Sequence, residues 1–263
     1  MGSATTQALA ATSAALDAAS GVDLDVARQL FTAARTLADS VQLRSALADG
    51  AAAPSARTAV VKAVFASEFA PAAVSLLNAA VEQRWSSDAD LVAGVEELAV
   101  RASVAADSST DVESELFWFS RVVADNPELE LALGSRLGDA SAKGTLVESL
   151  VQGKVSAATS LIISSIVRQP GERRVRAILS QALDIAARQR GRTVATVTTA
   201  HDLGPNQIDR LRSVLSARYG TDVSINVVID ATVVGGLRVA IGDELIDASV
   251  STRLADLRQR LAG

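Results

Sequence analysis

The chain has 263 residues, a formal net charge of −5 and no cysteine, which excludes disulfide bonds, zinc–thiolate sites and thiol nucleophiles. Hydrophobic residues make up 49% of the sequence but aromatic residues only 3%. Alanine, leucine and valine must therefore build a core of many small contacts, at roughly 25 cal/mol per Å² of buried apolar surface. The length favours two or three domains, and no segment is basic enough to indicate nucleic-acid binding.

Residues 1 to about 192 are predicted to be helical almost throughout. Gln7–Ala18 is predicted as the first helix. Apolar residues then recur at i, i+4, i+7 and i+11, which predicts a second helix through Leu30, Ala34, Leu37 and Val41. The Ala53-Pro54-Ser55 segment is typical of a helix N-terminus, and the helix that it opens carries Val60, Val64 and Phe65.

The helical part contains an internal duplication. A shift of 86 residues aligns Asp25–Val61 with Asp111–Val147 at 13 identities in 37 positions, without a gap. Similarity at a fixed offset is typical of a repeated supersecondary unit. We therefore expect two helical bundles, the first spanning residues 1–105 and the second residues 106–192.

The second copy repeats the local signals of the first. Asn126-Pro127 predicts a helix break or start, and Ser141 is predicted to open the helix that matches the one after Pro54. That helix carries the apolar residues Leu146, Leu150 and Val151.

The longest apolar stretch of the chain is far too short for the roughly 20 residues that a membrane-spanning helix needs, and the N-terminus lacks the pattern of a signal peptide.

The last third, residues 193–263, changes to β-branched alternation. Val194–Thr198 is predicted as a strand, a helix opens at Gly204-Pro205 and ends at Gly220, and Val223–Ile229 is predicted as a second strand. Proline suits the first turn of a helix and glycine its end. Strand, helix and strand within about 35 residues predict a βαβ unit with parallel strands. The predicted helix carries an apolar stripe of Ile208, Leu211 and Leu215.

A hairpin and a final helix are predicted next. Alternating apolar residues indicate a third strand of Leu237, Val239 and Ile241. Gly242-Asp243 fits a two-residue hairpin loop, and Glu244–Asp247 is predicted as the return strand. Asp247 or Ser249 can cap a last helix, whose stripe is Val250, Leu254, Leu257 and Leu261.

The sequence contains no convergent set of catalytic groups. The one histidine, His201, stands beside Asp202, a neighbour that could suggest acid–base chemistry, but a loop residue is the favoured interpretation because no nucleophile motif accompanies it. Val234-Gly235-Gly236-Leu237 resembles a phosphate-binding loop only in part, since a strand rather than a helix follows it. We expect these glycines to permit a positive φ or close backbone approach, and we expect no cofactor and no metal.

Several other polar and aromatic residues have two interpretations. The carboxylate pairs Glu96-Glu97 and Asp88-Asp90 are predicted to be solvated rather than catalytic. Trp85 and Trp118 are either core residues, the favoured reading, or interface anchors. An arginine cluster is either a solvated helix face or a docking surface for an acidic partner; it consists of Arg168, Arg173, Arg174, Arg176, Arg188, Arg190 and Arg192.

The segment from Val234 to Leu254 resembles the signature of the delta subunit family of F-type ATP synthases, also called the oligomycin-sensitivity-conferring protein family. The pattern is glycine-glycine-aliphatic, alternating apolar positions, a further glycine, then Asp-x-Ser-aliphatic and a basic-leucine pair. Its residues here are Gly235, Gly236, Gly242, Asp247, Ser249 and Leu254. Ala248 stands where the family often has glycine. Asn126-Pro127 with the residues after it also resembles the opening of the family's helical domain.

The resemblance implies a fold of class α plus α/β: N-terminal helical bundles followed by a small mixed-sheet domain at residues 193–263. The usual family member has one helical domain, so the duplication resembles an enlarged, actinobacterial form. The implied role is a non-catalytic stator, or peripheral stalk, at the cytoplasmic face of the cell membrane. Its expected partners are the N-terminal segments of the alpha subunits and the b-subunit stalk, with Leu257 and Leu261 as possible stalk contacts.

Two other functions stay open on the sequence alone. The first is a helical-repeat adaptor, unrelated to ATP synthase, that carries a small α/β module. The second is an enzyme that uses His201 with nearby carboxylates.

Overall fold

The computed structural model describes residues 2–135, 138–171, 173–233, 235–242 and 244–247. The chain divides into two compact units, Met1–Ala186 and Ala187–Gly263. In the described residues the first unit is helical, and the second contains a four-stranded mixed sheet with one helix. This confirms the predicted fold class. The division of the helical part into two domains near residue 105 stays a prediction.

The helices of the first unit follow one another through short connections. Their bounds, in chain order, are α1 (Ser3–Ala18), α2 (Leu24–Asp39), α3 (Val41–Ala48), α4 (Pro54–Phe65), α5 (Pro71–Glu82), α6 (Asp88–Ala106), α7 (Val112–Ala124), α8 (Pro127–Gly134), α9 (Ala140–Val151), α10 (Ala157–Arg168) and α11 (Val175–Gln189).

The structure repeats at the interval that the sequence predicts. Helices α8, α9 and α10 begin and end 86 residues after α3, α4 and α5. Their buried residues also correspond, since Leu47 and Leu133 are both fully buried, as are Val61 and Val147. In these three pairs of helices, the two copies thus have the same helix lengths and share buried positions.

Helix α6 serves both copies. It packs against α1, α2, α3 and α5 and also against α10 of the second copy, and its residue Val100 lines a small cavity together with Ile178 of α11. At the 86-residue offset α6 matches α1, and the buried face of α1 recurs in α6 as Leu91, Gly94, Leu98 and Ala102. A second face of α6 is buried too, at Val95, Ala99 and Ser103. We conclude that α6 is the sixth helix of the first copy and the first helix of the second.

Some residues of the predicted apolar stripes lie outside the core. The stripe of the second helix ends at Leu37, because Ser40 leaves the helical conformation and its side chain accepts a hydrogen bond from Leu43 N at the start of α3. Val41 therefore begins the next helix and is 57% exposed. In α4 the buried residues are Arg57, Val61 and Phe65, whereas Val64 lies on the surface.

The second unit is built on a sheet with the strand order β2-β1-β3-β4. Its elements are β1 (Arg192–Thr199), α12 (Pro205–Tyr219), β2 (Asp222–Ile229), β3 (Leu237–Ile241) and β4 (Glu244–Asp247). Strands β1 and β2 are parallel, and β3 is antiparallel to both β1 and β4. The predicted parallel βαβ unit and the predicted hairpin are confirmed. One face of the sheet, with Ala195, Val197 and Val239, packs against Leu211 and Leu215 of α12.

The predicted ends of α12 agree with the structure. Pro205 occupies the first turn, and Gly220 ends the helix at φ 70°, in the left-handed region that glycine adopts without a steric penalty. The predicted final helix, with its stripe of Val250, Leu254, Leu257 and Leu261, lies outside the described residues. Among the residues that are described, no helix is long and apolar enough to cross a membrane.

Candidate interaction surfaces

The glycines of the C-terminal signature lie around the β3–β4 hairpin. Gly235 and Gly236 precede β3 with φ values of 64° and 77°, and Gly242 follows it with φ 54°. Residues with a side chain rarely adopt such conformations. Since β3 follows the glycine pair, the pair turns the chain into a strand and offers no helix N-terminus to a phosphate.

The signature aspartate forms a cross-strand ion pair. Asp247 lies opposite Arg238 in the register of β3 and β4, and Arg238 Nε donates to Asp247 Oδ2 at 3.0 Å. The ion pair thus joins the signature aspartate to Arg238 on the neighbouring strand of the hairpin. The other predicted site residues, Ser249, Leu254, Leu257 and Leu261, lie outside the described residues, so their role stays a prediction.

His201 and Asp202 lie in the loop between β1 and α12, and both are exposed. The predicted loop position of His201 is confirmed. Within the described parts of the chain, no group of three or more histidine, aspartate or glutamate side chains is placed to hold a metal ion.

The two tryptophans have different environments. Trp85 is 8% exposed, its Nε1 donates to Ala80 O at 2.9 Å, and its ring lies directly over Gly94 of α6. Trp118 on α7 is 39% exposed, and Lys154 Nζ lies 5.9 Å from its ring centroid. The prediction of a core residue is therefore right for Trp85 and wrong for Trp118, because Trp118 lies on a face of α7 that no described helix covers fully.

Three carboxylates of α6, those of Asp88, Glu96 and Glu97, form ion pairs. Glu97 is 6% exposed and accepts from Arg101, one helical turn later, at 2.7 Å. Asp88 accepts from Arg44 Nε of α3 at 2.9 Å, and this hydrogen bond lowers the pKa of Asp88. The prediction that these groups are solvated is wrong for Glu97, since it overlooked the basic partner four positions along the helix.

The arginine cluster forms specific ion pairs between helices. Arg168 binds Glu148 of α9 at 3.1 Å, and Arg176 binds Glu130 of α8 at 3.0 Å. A third pair joins Arg173 to Glu96 of α6 at 3.0 Å. Because acidic neighbours offset these three charges, the structure favours an ion-paired surface over a docking site for an acidic partner at Arg168, Arg173 and Arg176.

In both copies, a side chain of a neighbouring helix accepts a hydrogen bond from the N-cap residue of the fifth helix. In the first copy Gln29 Oε1 of α2 accepts from Ala70 N at 2.8 Å. In the second copy the equivalent residue, Glu115 of α7, accepts from Ser156 N at 3.0 Å and from Ser156 Oγ at 2.7 Å. Ala70 and Ser156 are the N-cap residues of α5 and α10. A carboxylate at this position also interacts favourably with the positive end of the helix dipole.

We expect Glu115→Ala to lower the free energy of unfolding by roughly 0.5–2 kcal/mol, the range for loss of an N-terminal cap. Gln29→Ala is the matched variant, and we expect a smaller loss because Gln29 makes a single neutral hydrogen bond there. Urea denaturation followed by circular dichroism measures both values. A larger loss for Gln29→Ala would contradict the assigned role of the Glu115 charge.

An apolar groove lies on the outside of the second copy between α7 and α9. Its apolar lining comes from Val122, Pro127, Leu129, Leu146 and Leu150. Trp118 extends the same face by one helical turn, because it precedes Val122 by four residues on α7. We call this surface the α7–α9 groove.

Comparison with known proteins agrees with the signature. A family model described as ATP synthase delta (OSCP) subunit matches residues 97–261, a range that begins inside α6 and so leaves out most of the first copy. The ATP synthase subunit delta of Leifsonia xyli is 46% identical over 265 residues, covering 100% of both chains. That of Streptomyces avermitilis is 38% identical over 267 residues, covering 98% of both chains.

The relatives also have the enlarged length, since the alignments extend over both helical copies. A chain from the mitochondrial ATP synthase hexamer of Toxoplasma gondii is 20% identical with a TM-score of 0.39, over 64% of this chain and 97% of that one. On the family match and the full-length identities, this chain belongs to the ATP synthase delta (OSCP) subunit family.

Proposed function

We propose that this chain is the non-catalytic peripheral stalk subunit that links the alpha3beta3 catalytic head of an F-type ATP synthase to the b-subunit stalk. The full-length identity to ATP synthase delta subunits carries the proposal. The adaptor alternative is not favoured, since these relatives match the whole chain and not the helical repeat alone. The family is one of structural subunits, so the chain itself is not an enzyme.

The physical task explains the architecture. A rotor can drive catalysis only while the head is held still, so the counter-torque passes through the subunit that joins head and stalk. Such a joint needs an affinity of about nanomolar or better, roughly −12 kcal/mol. It also needs a stiff body, and the two helical copies share α6 and are linked by a hydrogen bond from Gln169 to Asp39 at 3.0 Å.

We assign the helical unit to the N-terminal segments of the alpha subunits and the C-terminal unit to the b-subunit stalk. The complex would hold the chain at the cytoplasmic face of the cell membrane as a peripheral protein. Amphipathic partner helices bind well to small-residue grooves between helices, and a helical unit so rich in alanine provides grooves of this kind.

Removal and re-addition of the chain test the proposal. Membrane vesicles stripped of this subunit should still hydrolyse ATP but should lose ATP-driven proton pumping, and the full-length chain should restore pumping. Retention of full pumping without the chain would contradict the proposal. His201→Ala should restore pumping as well as the wild type does, whereas a loss of activity in that variant alone would favour the enzyme hypothesis.

A further inference from the structure

A cavity of about 340 Å³ lies in the second copy between the start of α9 and the end of α10. Its lining includes Lys143 of α9, Arg168 at the end of α10, and the connection to α11 at Gln169, Pro170 and Gly171. Gly171 is exposed, whereas Lys143 is only 7% exposed. A buried cationic side chain therefore lines a space that small solutes can reach from the surface.

The ammonium group of Lys143 has no acidic partner. Its Nζ donates to the carbonyl oxygen of Ser135, the C-cap residue of α8, and no carboxylate of the described residues forms an ion pair with it. An ammonium group has three N–H donors, and a charge that is buried without a partner is costly. Two donors and the positive charge of Lys143 are therefore available to an anion.

The first copy shows how the same position is satisfied without a ligand. Lys143 matches Arg57 at the 86-residue offset, and Arg57 is 3% exposed. Its guanidinium donates to Gln83 O at 3.0 Å and to Glu82 O at 3.3 Å, so the positive charge lies at the negative end of the α5 dipole. The equivalent end of α10 receives no hydrogen bond from Lys143, and the cavity lies there instead.

The side chains around the cavity have an excess of positive charge. Arg168 binds Glu148 at 3.1 Å, but its Nε is buried without a hydrogen-bond partner in the described structure. Burial and then the charge of Arg168 lower the pKa of Arg35 on α2, while Asp39 raises it. Three cationic side chains, including Lys143, thus accompany two carboxylates. The helix dipoles oppose each other here, since α9 begins and α10 ends at the cavity, so the side chains decide the sign of the potential.

We propose that this cavity binds a phosphate-type oxyanion, with Lys143 as the direct ligand and Arg168 as a second positive charge beside it. Phosphate oxygens accept strong, charge-assisted hydrogen bonds from ammonium groups, and a bound phosphate would offset the buried charge of Lys143. The volume of about 340 Å³ is at the small end for ligand sites, so it suits inorganic phosphate or the phosphate end of a nucleotide. The inference does not depend on the stalk function, because the site lies within one helical copy.

Calorimetric titration of the full-length chain with inorganic phosphate, at constant ionic strength, tests the proposal. We expect Lys143→Met to weaken binding by about tenfold or more, because it removes a buried charge from the ion pair with phosphate. Methionine is unbranched and fills a similar volume, so we expect the fold to persist. The matched control is Lys62→Met in α4, which removes the same charge from an exposed position and should change the dissociation constant by less than about twofold.

Phosphate should also raise the melting temperature of the wild type, because a ligand that binds only the folded state stabilises it, and should not raise that of Lys143→Met. Arg168→Gln is the second variant and decides the test if Lys143→Met does not fold; we expect it to weaken phosphate binding by about threefold or more, because it removes a neighbouring positive charge. Circular dichroism establishes that each variant is folded.

A competition titration with ADP distinguishes the two sources of phosphate. Displacement of inorganic phosphate by ADP supports a nucleotide as the ligand, whereas phosphate binding that ADP does not displace supports free phosphate. The proposal is overturned if the wild type shows no saturable binding of phosphate, if chloride displaces phosphate equally well, or if the folded variants bind phosphate as the wild type does. None of these outcomes affects the stalk function, which the restoration of proton pumping tests separately.

Discussion

Leu98→Ala in α6 should lower the free energy of unfolding of the helical unit by about 2–5 kcal/mol, the usual cost of truncating a fully buried leucine. Leu98 is 1% exposed, and α6 packs against helices of both copies. The loss should therefore reach both copies. Urea denaturation measures its size, and amide hydrogen exchange measures its distribution along the chain.

Two other leucines provide controls for that distribution. Leu47 in α3 and Leu133 in α8 are fully buried at equivalent positions of the first and second copy. We expect Leu47→Ala to reduce amide protection most in the first copy and Leu133→Ala most in the second, whereas Leu98→Ala reduces it equally in both. A loss confined to α1–α5 in Leu98→Ala would refute the assignment of α6 to both copies.

Gly94→Val should destabilise the unit by about 1–3 kcal/mol, the usual cost of overpacking. Helix propensity alone predicts the opposite sign, because glycine is a weaker helix former than valine by about 0.3 kcal/mol. A Cβ at Gly94 would lie 2.1 Å from Cη2 of Trp85. The indole would have to move, and its hydrogen bond to Ala80 O would weaken with it.

The matched control is Gly134→Ala at the end of α8, where a Cβ would meet Val175 at an ordinary 3.6 Å. We expect this variant to be as stable as the wild type or slightly more stable. Fluorescence of Trp85 in a Trp118→Phe background reports the movement of the indole. An unchanged spectrum and unchanged stability for Gly94→Val would show that the ring is not held where the structure places it.

The sequence predicted the elements better than it predicted which faces are buried. Periodicity, proline starts and glycine ends located α4, α8 and α12, and the alternation of Leu237, Val239 and Ile241 located β3. These signals are local, so a single sequence contains them. The burial of α6 against the second copy was not predictable in this way, because it depends on α10 and α11, which come much later in the chain.

For the interaction surfaces too, local features were predictable from the sequence and burial was not. The hairpin could be predicted from the sequence, because its glycines and its two strands are close together along the chain. Arg238 and Asp247, which form an ion pair, lie on these two neighbouring strands. For Trp118 the sequence predicts a core position, since size and hydrophobicity favour burial. What distinguishes it from Trp85 is the absence of a covering helix over that face in the described structure. The sequence contains one signal for the groove. Equivalent positions of the two copies hold threonine in the first copy, at Thr32 and Thr36, and apolar residues in the second, at Trp118 and Val122.

Because α6 belongs to both copies, the repeated unit can be defined as five helices. One period of 86 residues contains five helices, α1–α5 or α6–α10. Helix α11 is the last helix of the second bundle, in the position that α6 has in the first bundle. The helical unit is thus a short linear array in which each period supplies the first helix of its own bundle and the last helix of the one before. An in-frame insertion of a further 86-residue period would extend the array without leaving an unpaired helix. The helical unit could therefore lengthen in whole periods of 86 residues, with α1 still its first helix and the counterpart of α11 still its last.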